Sequence, residues 1–519
     1  MRANLPKISL IGLARGCVRS NEVASVRINV IANYLGQGWV ALMGLAFVPI
    51  YIKYLGMEAY GLIGIFAVLQ VSLTVLDMGM APTLNREMAR FTAGAHSPQS
   101  IWDLLRSLEV ICFGIAMLIG MSVWGASAWL GGSWLRAEKL SIEAVVHAIA
   151  VMGFVVGLRF VEGLYRGAIL GLQKQVWFNA VNAALATLRG IGAVSVLAWV
   201  STTIEAFFLW QGVVSIITIA IFAVSVHRGL PDPDQPPRFS FLALSGIWRF
   251  ASGIMATAFL VLLLTQMDKV LLSRLLSLED FGYYAFAATI ASMLYQLIVP
   301  VTQAFYPRFS ELVTRGDTIG LVTAYHRGAQ LVSVLIVPAA LMLMMFGEDL
   351  LVMWTGDVTL ARDAAPLVAL LTLGTLLNGL MNIPYNLQLA YGWSGFAARV
   401  NMVGVAILVP AILWVTPRYG AVGAAWVWVV LNSAYVLITI HFMHHRLLPR
   451  EKWNWYVADL GMPLIATLIV ALVGFLLKPN QMGNLGLLCW IAGTGVMMLA
   501  AAGASANIIR RDMIAVIYR

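Results

Sequence analysis

The amino-acid sequence predicts an all-α, polytopic membrane protein of about 14 transmembrane helices, with two six-helix bundles in parallel pseudo-repeat and two further C-terminal helices. Three observations lead there. First, 61% of the 519 residues are apolar and only 11% charged, far from the near-half apolar and one-quarter charged make-up of soluble chains. Second, uncharged runs long enough to cross a hydrocarbon core recur from end to end. The clearest are Ile28 to Ile52, Val110 to Leu135, Ala206 to Val226, Phe281 to Pro307 and Pro479 to Ile509. A β-barrel, the other way to satisfy a backbone in lipid, would show short alternating segments instead. Third, lysine and arginine alternate between rich and poor connections.

Taken in order, the apolar runs place helices near 28–52, 60–85, 107–131, 143–166, 175–199, 204–226 and 250–273 in the first half. The remainder fall near 281–306, 320–346, 364–390, 396–416, 419–441, 456–477 and 484–507. The first run is too long for a signal-peptide core and is read as a retained helix. Cytoplasmic connections carry an excess of Lys and Arg. Of 33 such residues, 23 lie in the N-terminal segment, in the connections after even-numbered helices, or in the C-terminal tail. Only eight lie on the other side: Lys53, Arg136, Lys139, Lys269, Arg274, Arg362, Arg418 and Lys478. Both termini are therefore expected in the cytoplasm. The net charge of +9 is first a topology signal, and nucleic acid is an unneeded partner.

Between the sixth and seventh helices, His227 to Arg238 reads HRGLPDPDQPPR, a stretch that can continue neither helix. It divides the chain into a cytoplasmic segment 1–27, a six-helix lobe 28–226, a linker 227–249, a second six-helix lobe 250–446 and a pair of helices with a tail, 447–519. The halves resemble each other. YLGMEAYG (Tyr54 to Gly61) and LLSLEDFG (Leu275 to Gly282) stand 221 residues apart, and Trp177 to Asn182 pairs with Phe396 to Asn401 at 219. Six helices per copy means both copies enter the membrane in the same direction, so the repeats are parallel. In transporters such repeats flank the substrate site.

The span from Ile28 to about Arg90, with NYLGQGW, YLGMEAYG and DMGMAPTLNREMAR, resembles the bacterial polysaccharide-biosynthesis membrane proteins, the O-antigen and related oligosaccharide flippases. These belong to the multidrug/oligosaccharidyl-lipid/polysaccharide exporter superfamily. QMDKVLLSRLLSLEDFGYYAFA (Gln266 to Ala287) is similar to that family's passage from the seventh to the eighth helix. The resemblance implies a bacterial inner-membrane flippase of lipopolysaccharide or other polysaccharide biosynthesis. Its cargo is a polyprenyl-pyrophosphate-linked oligosaccharide carried from the cytoplasmic to the periplasmic leaflet by alternating access. The expected partners are that lipid-linked oligosaccharide, the bilayer and the polysaccharide polymerase machinery; no cofactor is implied.

Ionisable groups inside membrane helices cost several kcal/mol and mark functional candidates. Arg189 lies fourteen residues into its helix, about 21 Å along at 1.5 Å per residue. Its planar guanidinium suits a pyrophosphate or sugar, with a structural pair to a neighbouring acid as the alternative. Arg159, Glu162 and Arg166, at i, i+3 and i+7, share one helical face and either neutralise one another or line a wet cavity. Asp77 precedes Gly79 and Pro82, which loosen the helix before Asn85, Arg86 and Glu87, so Asp77 and Arg86 are gating or coupling candidates. Asp268 and Lys269 are the equivalents near the far end of helix seven; being adjacent, each needs its own partner. Asn29, Asn33 and Gln37 form a polar stripe on helix one, and Asn378, Asn382 and Asn386 repeat it on helix ten beside Pro384. These stripes line a path or hydrogen-bond between helices.

Trp134, Trp199, Trp354, Trp414 and Trp453 fall near helix ends and are read as interfacial anchors. His444 and His445 beside Arg446 read as a solvated basic loop, and the three scattered cysteines as neither disulfide nor metal site. No Walker, HExxH, GxSxG or dinucleotide motif occurs, so neither ATPase nor hydrolase chemistry is expected. Two rival readings remain at this point. One is an ion-coupled exporter of small molecules, which isolated arginines disfavour; the other is a membrane glycosyltransferase or polymerase, which short external loops disfavour.

Overall fold

The computed structural model describes residues 33–77, 79–241, 248–479 and 482–517. The N-terminal segment, with Asn29 and Cys17, lies outside them. The described residues are predominantly helical and contain no strand. Eleven helices among the described residues are long and apolar enough to cross a membrane. The longest, Ser394–Leu447, covers two predicted spans, because the backbone breaks out of helical geometry at Gly420 (φ 60°, ψ −151°). Val48–Leu76 breaks in the same way at Gly56 (φ 83°, ψ 167°), in the interval left between the first and second predicted spans.

Helix starts follow local chemistry. The side chains of Ser97, Ser141, Thr203, Ser277, Asp317 and Asp357 each accept a hydrogen bond from the backbone N–H three residues on. Such caps satisfy donors that a helix cannot pair internally, which matters most where water is scarce.

The chain forms two compact units. The first comprises Met1–Gly56, Leu69–Gly132 and Ser141–Ala258. Its core gathers Leu84 and Met88 of the Met80–Thr92 helix, Leu104 and Leu108 of Pro98–Trp129, Leu164 and Ile169 of Ile142–Gly171, and Phe222 of Ile204–His227. The proline-rich linker is held against this unit. Gln99, Asp103 and Ser107, four residues apart along one helix, accept the backbone N–H groups of Gln235, Arg238 and Ser240. Trp102 donates its Nε1–H to the Pro231 carbonyl.

The second unit comprises Met57–Val68, Ser133–Leu140 and Phe259–Arg519. Its core is built on Thr318–Met345, the most enclosed span, with 61% of its apolar window buried; the figure for Asn484–Ser505 is 22%. Here the two repeated motifs meet. A Cβ on Gly61 would collide with the Leu278 carbonyl oxygen, and one on Gly282 with that of Met57. Each contact maps onto the other by the same 221-residue shift that aligns the motifs, a reciprocity that a local two-fold relation requires. Beside it, buried Glu58 accepts the backbone N–H groups of Glu138, Lys139 and Leu140, and Lys139 pairs with Glu279.

One sequence expectation is corrected here. His444 is fully buried and not solvated: the helix runs on to Leu447, and the ring meets the Tyr325 hydroxyl at 3.1 Å and the Ile440 carbonyl at 3.0 Å. His445 is exposed as expected. Trp199, Trp414 and Trp453 expose most of their surface, while Trp134, which donates to Ser273 Oγ, and Trp354, which stacks on Phe286, are half-buried at the ends of their helices.

Candidate functional site

The first unit contains a cavity of about 610 Å³ between the Met80–Thr92 and Ile142–Gly171 helices, with one side closed by Asn182 and Phe222. Its floor comes from the face that helical periodicity brings together at Arg159, Glu162, Gly163, Arg166, Gly167 and Leu170. Glycine decides how near the opposite wall stands. A Cβ on Gly167 would lie 2.5 Å from the Ala81 carbonyl oxygen, and one on Gly171 would strike that of Asn85. The wall itself starts at a break in the chain. After Val48–Leu76 ends, Gly79 takes a left-handed conformation (φ 76°), and both carboxylate oxygens of Asp77 accept the Ala81 N–H at 3.1 and 3.3 Å. That capping turn points Asp77, Ala81, Pro82 and Asn85 into the cavity lining.

The charged groups divide into a tied set and an open one. Glu162 Oε1 lies 3.3 Å from Arg189 Nη2 and 4.0 Å from Arg159 Nε, so one carboxylate serves two guanidiniums. Arg159 also donates from Nη2 to Gln211 Oε1 at 3.2 Å. Arg189 does not line the cavity; it backs the lining from the Gln175–Trp199 helix through Glu162. Arg166, one turn further along the same face as Glu162, lines the cavity, is exposed, and has no hydrogen bond or ion pair among the described residues. The lining itself balances Asp77 and Glu162 against Arg159 and Arg166, and Arg189 behind Glu162 adds one positive charge to the neighbourhood; the most accessible guanidinium is that of Arg166.

The other candidates are placed apart from this cavity. Arg86 turns to Glu87, with Nε donating at 2.8 Å, and joins Arg90 and His96 around that buried carboxylate. Asn33 accepts from Asn179 Nδ2, which makes it an interhelical bond, and Gln37 is exposed. Asp268 accepts from the Tyr284 hydroxyl at 3.0 Å and Lys269 donates to the Thr265 carbonyl at 3.0 Å, so each has found its own partner, while their charges stand 3.8 Å apart. Asn378 and Asn382 line a smaller pocket of about 240 Å³ in the second unit, together with Gln388, Asn401 and Tyr435. Sequence reasoning missed Gln70, Asn182 and Gln211 around the first cavity and Gln388 and Tyr435 around the second. Neutral polar residues are common in membrane helices, so only their convergence in space distinguishes them.

Comparison with known proteins is consistent with this architecture. The fold resembles that of the lipid II flippase MurJ in an inward closed conformation, with a TM-score of 0.69, 11% identity, and coverage of 94% of this chain and 99% of that one. It also resembles an inward-facing multidrug resistance MATE family transporter of the MOP superfamily (TM-score 0.60, 11% identity, 82% and 95% covered). A third similar structure is a MOP superfamily transporter from Pyrococcus furiosus (TM-score 0.53, 13% identity, 82% and 95% covered). No curated protein sequence matches the chain. Residues 26–313, more than half of the sequence, match the family described as polysaccharide biosynthesis protein, and the chain belongs to that family.

Proposed function

We propose that this protein is a flippase that carries a polyprenyl-pyrophosphate-linked oligosaccharide from the cytoplasmic to the outer leaflet of a bacterial inner membrane. The observation that carries the reading is Arg166, an exposed guanidinium with no hydrogen bond or close ion pair among the described residues, on the wall of a cavity of about 610 Å³ inside a membrane-spanning unit. An arginine fork matches the paired oxygens of a pyrophosphate. The neighbouring Glu162–Arg159–Arg189 set keeps two further guanidiniums nearby, held by one shared carboxylate. A cationic drug would meet a surplus of positive charge in this place, which weighs against multidrug export. The family membership and the flippase among the similar folds point the same way.

In this reading both termini face the cytoplasm, residues 28–226 and 250–446 act as parallel halves, and no covalent bond is made or broken. The polymerase machinery that consumes the oligosaccharide on the far side is the natural partner. The deciding experiment measures transbilayer movement of a polyprenyl-pyrophosphate-linked oligosaccharide in proteoliposomes. Wild-type protein should accelerate it, and Arg166→Ala, Arg159→Ala and Arg189→Ala should each slow it at matched reconstitution. Failure of folded wild-type protein to move any such lipid would overturn the proposal.

A further inference from the structure

The smaller pocket of the second unit forms where two helices lose regularity together. Val358–Leu380 stops and Asn382–Ala390 begins on either side of Met381, with Pro384 in the new first turn. The carbonyls of Asn378 and Gly379, which cap the ending helix through the Met381 N–H, also accept Asn382 Nδ2 at 3.3 and 3.1 Å. Facing this break, the chain widens into a π-helical turn at Tyr435–Thr439. Irregular backbone at membrane depth is tolerated where it lines a cavity, and π turns gather at functional sites.

The pocket holds about 240 Å³, room for a single ring, and none of its lining residues is charged. Its polar atoms are amides and hydroxyls from Asn378, Asn382, Gln388, Asn401, Tyr435 and Thr439. Asn378 is fixed in place, accepting from the Tyr295 hydroxyl at 2.8 Å and donating to Asn432 Oδ1 at 2.8 Å. Gln388 is only 2% exposed, yet its Oε1 has no hydrogen-bond partner, and neither has the buried hydroxyl of Tyr435. Native packing rarely leaves two such buried groups unsatisfied without a reason.

The chemistry of the lining selects the ligand. An ammonium or a phosphate would be stripped of water with no counter-charge to meet it. A flat apolar compound would leave Gln388 and Tyr435 unpaired. A neutral ring carrying several hydroxyls both donates and accepts, as amides and phenols do, and its C–H face can rest on Met381, Tyr385 and Val400. We propose that this pocket binds one uncharged sugar ring; that the ring belongs to the lipid-linked cargo rests on the flippase reading above.

The test is equilibrium binding in nanodiscs of three probes: bare polyprenyl pyrophosphate and the same lipid carrying one hexose or one N-acetylhexosamine. Wild-type protein should bind at least one glycosylated probe about tenfold or more tightly than the bare lipid, as two to three new hydrogen bonds imply. In the double variant Gln388→Leu/Tyr435→Phe that gain should shrink below about threefold, with bare-lipid affinity unchanged. The double variant should also melt no lower than wild type, since it removes two unpaired buried polar atoms; a purely structural role would lower its melting temperature. Equal affinity of wild type for all three probes, or an undiminished gain in the double variant, would overturn the inference. Proteoliposome transport run alongside reports separately on the flippase reading, because sugar binding without transport would defeat that reading and leave the pocket assignment standing.

Discussion

The two cavities were built by opposite means from similar helices. In the first unit, charges crowd around one carboxylate and the surplus guanidinium of Arg166 faces open space. In the second, no charge lines the pocket, and the backbone itself is broken to seat neutral amides. The contrast shows two ways to keep polar chemistry inside a bilayer. Charges are kept by pairing most of them and leaving one exposed, neutral groups by interrupting helices so that backbone carbonyls at the break hold them in place.

The sharpest way to break this comparison is to remove the exposed charge. Arg166→Ala should cut transport in proteoliposomes by about tenfold to a hundredfold, the worth of a charge-assisted hydrogen bond, and leave the melting temperature in detergent unchanged. A fall in melting temperature would instead make Arg166 one more structural ion. Next in size is the tied set. Glu162→Gln leaves Arg159 and Arg189 without their shared acid, and should cost about 3 kcal/mol of stability, read as early aggregation on size-exclusion chromatography after heating. A smaller loss, about 1–3 kcal/mol, is expected for Gly61→Ala, where the added methyl must displace the Leu278 carbonyl.

The smallest effect concerns pH at the end of the first wall. Burial works to raise the Glu87 pKa, but hydrogen bonds from His96 and Arg86, with the charges of Arg86 and Arg90, hold it below its usual range. A carboxylate whose folded pKa lies below its unfolded one adds stability above the unfolded value and gives it up as pH falls through the folded one. Wild-type melting temperature should therefore drop on acidification below the ordinary glutamate range, and Glu87→Gln should flatten that drop. Parallel curves for the two proteins would remove Glu87 from the account.

Much of the fold was legible because its signals are compositional. Apolar runs located the spans and alternating Lys and Arg supported their count, whereas the caps that set where helices start, such as Ser141 and Thr203, emerge only from the structure. The Arg159, Glu162, Arg166 face followed from helical periodicity alone. What could not be read were partnerships across helices. Nothing local to Arg189 says that its acid is Glu162, or to Asn33 that its amide partner is Asn179. His444 misled because HHR is a polar string, whereas packing under Tyr325 and Trp455 decides its burial. The sugar pocket was half visible: the Asn378 and Asn382 stripe gave one wall, but Gln388 and Tyr435 become notable only once their missing partners are seen.

The reciprocal seating of Gly61 and Gly282 also bears on how this chain can change over time. Because each glycine rests on the other motif's backbone, the two motifs cannot change independently at this point. A side chain gained in one copy would have to be accommodated by a shift in the main chain of the other, which no single substitution supplies. Chimeras that exchange one half between relatives should therefore succeed only when both motifs, Tyr54 to Gly61 and Leu275 to Gly282, travel together.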